Sequence, residues 1–307
     1  MQSRTQSPFV NYTRNPDRLI SHKGREVAVF DDANSENMDQ ATVSSFGEEW
    51  KRFHAFDQEE LKRCGDQYFD LLGENEPGSD AVVLDAGCGS GRWSWYLAPR
   101  VATIEAIDPS DAVYPALELL QDVSNVRVTR CSIDAMPFAD ASFDFIMSIG
   151  VLHHVPDTEA ALKVLKKKLK PNGSFLVYLY YDISHRGFLF RLLFSCVNVS
   201  RRIISSFPST IKQIICEGIA LLVYLPLARL SRLISLLGLP GIARRIPLSY
   251  YAEKGFFIMR NDALDRFGTP LEKRFTRSEI IRMLNNAGFS RIRFSEGEPY
   301  WHVLASA

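Results

Sequence analysis

An α/β fold, with a parallel sheet wound by helices, is the class this sequence predicts, and three observations carry it. The run Val82-Val83-Leu84 ends in Asp85 and reads as a strand buried on both faces. Three glycines at alternate positions, Gly87, Gly89 and Gly91, follow it and let the backbone turn sharply beside a ligand. Arg92 to Ala98 then carries its apolar groups at helical spacing, so a helix N-terminus faces whatever sits over the loop. Strand, glycine loop and helix in that order mark a small-molecule site at the edge of an α/β sheet.

The elements follow in chain order. Residues 1–40 are polar and irregular, with acids at 31, 32, 36 and 39, and are expected to hold little fixed structure. Phe46, Trp50 and Phe53 then recur at helical spacing, and Glu59 to Leu72 reads as another helix. The aromatic stripe either packs in the core or covers one end of a bound ligand. Strands are expected at 81–85, 103–107, 126–130, 143–148 and 174–180, with helices at 91–99, 111–121 and 158–168 between them. Thr276-Arg277-Ser278-Glu279 reads as a capping box opening a helix that ends at Gly288. Residues 290–294 and 301–304 suit a closing antiparallel pair.

The glycine spacing narrows the ligand. A dinucleotide fingerprint is G-x-G-x-x-G, with the pyrophosphate on the helix N-terminus. Here the pattern is G-x-G-x-G with Asp85 two residues ahead, and a carboxylate there repels a pyrophosphate but attracts a cation. The second strand ends in Asp108, and an ionised carboxylate at that point suits a ribose diol. A ribose and a positive charge without a pyrophosphate describe S-adenosylmethionine.

Further motifs point the same way. Pro137-Phe138-Ala139-Asp140-Ala141-Ser142-Phe143-Asp144, Gly150-Val151-Leu152-His153-His154-Val155-Pro156-Asp157 and Leu169-Lys170-Pro171-Asn172-Gly173 follow the glycine loop in order. Together these segments, over roughly residues 80–181, resemble the class I S-adenosylmethionine-dependent methyltransferases of the type 11 branch. The resemblance implies a Rossmann-like, doubly wound seven-stranded sheet whose last strand inserts antiparallel, with a helical insert after strand 5. It implies that Asp85 holds the ammonium of the methionyl part, directly or through water, beside Gly87, Gly89 and Gly91. Asp108 takes the ribose hydroxyls, while Ser132 and Ile133 stand where relatives carry an acid and a small apolar residue against the adenine. His153 and His154 follow the fourth strand, where acceptors bind in this fold, and either could serve as the base for a hydroxyl acceptor or merely shape the loop. No metal site is expected. In many relatives an aromatic stretch like Phe46 to Phe53 precedes the core, sometimes after a cysteine-bearing module that this chain lacks.

Between the fifth strand and the capped helix lie roughly 95 residues, far more than a connection needs. Residues 183–247 hold nine Lys or Arg and one acid, Glu217, so a chain of zero formal net charge carries about +8 here. The same stretch is rich in Leu, Ile, Val and Phe, and an uncharged run as long as any in it, Gly218 to Ala228, is too short to cross a bilayer, which takes about 20 residues. It reads as a lid over the acceptor, as an element lying on an anionic membrane surface, or as both. The expected division is an N-terminal segment 1–40, a core of 41–181 and 262–307, and an insert of 182–261.

Composition excludes other classes. The 307 residues hold ample apolar and aromatic side chains for a packed core, and zero net charge removes a global argument for nucleic acid. Five cysteines, at 64, 88, 131, 196 and 216, form no C-x-x-C pair and fit a reducing cytoplasm; Met1 to Pro8 has no apolar signal core. The glycine spacing and Asp85 argue against a third reading, a nicotinamide-dependent dehydrogenase, beside two others. One is a cytoplasmic methyltransferase, peripheral at the inner face of a membrane, acting on a small hydrophobic or lipid-linked metabolite. The other is a catalytically silent S-adenosylmethionine-binding partner in a biosynthetic assembly.

Overall fold

In a computed structural model, which describes residues 7–31, 35–52, 57–73, 76–182, 188–297 and 301–307, the apolar runs become strands of one nine-stranded sheet. These are β1 (Arg18–His22), β2 (Arg25–Val29), β3 (Val82–Ala86), β4 (Thr103–Asp108), β5 (Val126–Arg130), β6 (Phe143–Ile149), β7 (Leu169–Tyr178), β8 (Ser290–Phe294) and β9 (His302–Ser306). The helices are α1 (Gln40–Arg52), α2 (Gln58–Tyr68), α3 (Arg92–Leu97), α4 (Val113–Leu119), α5 (Thr158–Lys168), α6 (Phe188–Ser205), α7 (Ser209–Ile219), α8 (Leu225–Leu236), α9 (Pro240–Ala243), α10 (Phe256–Gly268) and α11 (Arg277–Asn286). Across the sheet the order is β1-β2-β5-β4-β3-β6-β7-β9-β8. The strands from β2 to β7 in that order pair in parallel, and β9 inserts antiparallel between β7 and β8.

Burial explains why the strand runs are uninterruptedly apolar. Val83 packs with Ile104 and Phe145 on one face, while its neighbour Leu84 packs with Ile107 and Ile146 on the other. Helices cover both faces, so each strand position is in a core, and each fully buried Leu or Ile contributes roughly 1.5–3 kcal/mol. Thr276 caps α11 with its hydroxyl while the Glu279 carboxylate reaches back, and Gly288 beyond the helix takes a positive φ of 89°.

Four expectations need correction. The sheet has nine strands because residues 18–29, read as irregular, form a hairpin whose β2 pairs with β5. Its Lys23-Gly24 turn has positive φ at both positions, the geometry of a tight hairpin, but lysine there carries little turn signal. Tyr12 and Phe30 pack edge to face beside it, and the Val10 amide donates to Glu105. The strand expected at 174–180 starts earlier, because Leu169 to Gly173 already belongs to β7, whose register there is irregular. The chain divides into a unit of 1–182 with 271–307 and a second unit of 183–270, so α10 belongs with the insert, where it packs on α6 and α7. Finally, the uncharged run 218–228 lies within a continuous helix, Ser209–Leu236, of 28 residues, long and apolar enough to cross a membrane by length and composition alone.

Candidate functional site

The C-terminal ends of β3, β4, β5 and β6 open on one cleft of about 120 Å³. Sequence puts the glycine loop there and the loop's own bonds fix it. The Gly87 and Cys88 amides both donate to the Ile107 carbonyl at 2.9 Å, tying the end of β3 to β4. Gly87 has φ +84°, and a Cβ on it would stand 2.5 Å from the Val151 methyls of the loop after β6. Only glycine fits that position. The next turn of the loop is held by the site itself, since the Gly89 amide donates to Asp108 Oδ2 at 2.9 Å.

Asp108 lines the cleft at the end of β4. Its Oδ1 accepts from the Ser110 amide at 2.8 Å and the Ser110 hydroxyl at 2.6 Å. Burial raises its pKa, and the hydrogen bonds from Ser110 and Gly89 oppose that rise. Asp85 is placed differently from its expected role. It is fully buried beneath the loop, off the cleft lining, where Oδ2 accepts from the Ser94 hydroxyl at 2.7 Å. Its Oδ1 is buried and has no hydrogen-bond partner among the described residues. Burial raises its pKa to about 7, with the Asp108 charge adding to the rise and Ser94 opposing it.

Ser132 and Ile133 both line the cleft after β5. The Ser132 hydroxyl donates to Asp134 at 2.7 Å, and the Ser35 hydroxyl donates to the same carboxylate, so Asp134 joins the wall from one residue further along.

The two histidines separate. His153 is completely buried, stacks on Tyr180 with ring centroids 3.8 Å apart, and neither ring nitrogen has a hydrogen-bond partner among the described residues. Burial holds its pKa well below the ordinary value, with the neighbouring His154 and Arg274 charges in support. It does not line the cleft, which removes the geometric basis for its use as a base. His154 does line the cleft. Its Nδ1 donates to the Leu271 carbonyl at 2.6 Å, which fixes the tautomer with Nε2 as the basic nitrogen.

Sequence reading missed most of the remaining wall. Asn37, Asp39 and Thr42 line it from the start of α1, and Phe46 and Trp50 from its next turns. The aromatic stripe thus faces the site rather than the core; Phe53 lies outside the described residues. The Trp50 indole lies against Gly89, and the Arg92 guanidinium sits 4.7 Å from the Trp50 ring, adding a cation to the lining. The signal for Trp50 was its helical spacing; for Arg92 it was its place at the first position of α3.

Comparison with known proteins fits this geometry. Residues 84–177 match the family model described as "Methyltransferase domain". Among curated proteins, this chain is 32% identical over 142 residues to malonyl-(acyl-carrier protein) O-methyltransferase of Erwinia pyrifoliae, covering 45% of this chain and 50% of that protein. It is 31% identical over 114 residues to ubiquinone biosynthesis O-methyltransferase of Pseudomonas fluorescens, covering 36% of this chain and 49% of the other. The chain thus spans about half the length of each. A solved SAM-dependent methyltransferase from Aquifex aeolicus covers 82% of this chain and 98% of its own at 18% identity and a TM-score of 0.42. The methyltransferase domain implies S-adenosylmethionine as its cofactor. The chain's residues fit it: Gly87 and Gly89 in the cleft wall, a carboxylate in the cleft, and an orphaned acid oxygen beneath the loop.

Proposed function

We propose that this chain moves the methyl group of S-adenosylmethionine to a small acceptor that is hydrophobic or linked to a lipid or carrier. It works at the cytoplasmic face of an anionic membrane, with residues 183–247 as the contacting segment. The observation that carries the enzymatic reading is the Asp108 carboxylate, set in the cleft and bonded to the glycine loop it faces. Asp108 binds the ribose hydroxyls; Ser132, Ile133 and Asp134 form the adenine wall; Gly87 and Gly89 let the backbone pass close by. Asp85 supports the ammonium end from beneath the loop through its orphaned oxygen, and Arg92 takes the methionyl carboxylate.

When bound, the cofactor supplies an electrophilic methyl on a sulfonium sulfur that leaves as a neutral thioether. The chain aligns donor and acceptor in a dry cleft walled by Phe46, Trp50 and Val151, which is most of what an in-line displacement needs. Where the acceptor is a hydroxyl, His154 receives its proton. The acceptor class is supported by the apolar, basic insert and by two relatives whose names place their substrates on an acyl carrier protein and in ubiquinone biosynthesis.

Calorimetry with S-adenosylmethionine and NAD, followed by methyl-label incorporation from membrane and soluble extracts, tests the proposal. Expected are binding of the first nucleotide alone and S-adenosylhomocysteine formation with the membrane extract. Asp108→Ala is expected to weaken binding about 10- to 100-fold, the loss of hydrogen bonds to a charged group. Binding without turnover on any extract indicates the silent partner instead.

A further inference from the structure

The helical unit 183–270 leaves many of its large apolar side chains exposed. Among the described residues fifteen large apolar side chains are exposed, and all but Leu19 lie between Val199 and Ile242. Leu222 is 74% exposed and Leu236 is 76% exposed. Along the continuous helix Ser209–Leu236 the buried stripe is Lys212, Cys216, Ala220, Tyr224, Ala228 and Ser231, which are small or polar. Beyond that stripe, Arg201 is buried and donates to the Thr269 and Pro270 carbonyls at 3.0 and 2.9 Å, and Asn261 of α10 is buried as well. Small or polar residues at the buried contacts of the helix Ser209–Leu236 and large aliphatics on its outside suit an exterior in contact with lipid, while Met259, Leu264 and Phe267 of α10 fill the unit's own core.

We infer that this unit is a monotopic membrane element: it embeds its apolar exterior in one leaflet of an anionic bilayer without crossing it. The inference deepens the membrane reading above by fixing how the contact is made. Charge selects the lipid. The unit holds twelve Lys or Arg against Glu217, Glu253, Asp262 and Asp265, a net +8, and Arg202, Arg244 and Arg245 are exposed beside the aliphatic side chains. An anionic headgroup layer supplies the opposite charge. A second copy of the chain supplies the same charge, so a two-fold contact would set these arginines against their own equivalents.

Two observations keep the unit on one side of the bilayer. The helix Ser209–Leu236 is long enough to cross by length and composition, but its uncharged stretch, Gly218 to Ala228, is closed by Glu217 at one end and Arg229 at the other. Glu217 at one end of the run is paired with Arg260 of α10, and α10 also carries Asp262, Asp265 and Arg266. Crossing would carry this charged helix into hydrocarbon with its partner.

The test is flotation of the full chain with phosphatidylcholine vesicles, with and without phosphatidylglycerol. Stable co-flotation is expected only with the anionic vesicles, and a later wash at about 1 M salt, where screening acts within about 3 Å, is expected to leave most of the protein bound. The double variant Leu221→Glu, Leu222→Glu is expected to lower the bound fraction at least about tenfold, and Arg244→Glu, Arg245→Glu to lower it at low salt. Both variants change exposed side chains, and unchanged S-adenosylmethionine binding by calorimetry is expected to show that they fold. Absence of binding to either vesicle, complete release by salt, protease cutting from inside sealed vesicles, or a soluble dimer that the leucine variants dissociate would each overturn the inference. Loss of nucleotide binding in the unmodified chain would sink the enzymatic reading and leave this one standing.

Discussion

The Asp85 carboxyl keeps its proton in the folded chain up to about pH 7, because it is fully buried beside Asp108. In the unfolded chain it ionises near pH 4. Between those values the folded state binds a proton the unfolded state has lost, so this group lowers stability as pH rises from about 4 to about 7 and no further above that. Asp85→Asn removes that slope. The variant is expected to match the parent near pH 4 and to exceed it near pH 8 by on the order of 4 kcal/mol, read by urea unfolding without ligand. At Gly87 the sign is opposite. Alanine there meets a left-handed φ, costing roughly 1–2 kcal/mol, and the Val151 methyls at 2.5 Å, costing roughly 1–3 kcal/mol more. Thermal melting of Gly87→Ala and of Gly87→Ala, Val151→Ala checks this: the second change is expected to recover the steric share and leave the backbone share. The glycines, Asp85 and Asp108 were all legible as residues. That Asp85 lies buried beneath the loop, off the cleft lining, was not, because the depth an acid takes depends on Ser94 and on burial by neighbouring elements.

At the scale of elements, α1 matters most for the site. Periodicity gave a helix with an aromatic stripe, but a stripe facing a core and a stripe facing a cleft have the same spacing. Packing decides between them, since the Trp50 ring lies against Gly89, which has no side chain to fill the space. Trp50→Phe is expected to weaken nucleotide binding about 2- to 10-fold, the value of one aromatic contact, and to reduce the change in tryptophan fluorescence on titration. The β1–β2 hairpin was missed for a related reason. A five-residue edge strand such as Arg18–His22 has a mostly exposed burial pattern and no continuous apolar run, so its strand character comes from pairing with β2. The histidine pair shows the same limit, since adjacent residues in a short turn point to different surroundings. His154 reaches the Leu271 carbonyl and the cleft, while His153 stacks on Tyr180 out of reach.

For the whole molecule, the proposed coupling of a soluble cofactor to a membrane-held acceptor has a kinetic signature. Anionic vesicles are expected to lower KM for an apolar acceptor while leaving KM for S-adenosylmethionine unchanged, measured by S-adenosylhomocysteine formation. The alternation of apolar runs with helical spacing determined the doubly wound class, since strands buried on both faces must be apolar throughout. Glycine spacing and the two strand-end acids led to the expected ligand chemistry, because a cation and a diol suit those groups within a few residues of a strand end. Tertiary structure alone decided three things: that α1 walls the cleft, that His153 is withdrawn from it, and that the basic insert turns its aliphatic side chains outward. Each depends on what lies on the other side of a helix or loop, and that neighbour comes from distant sequence brought near by packing.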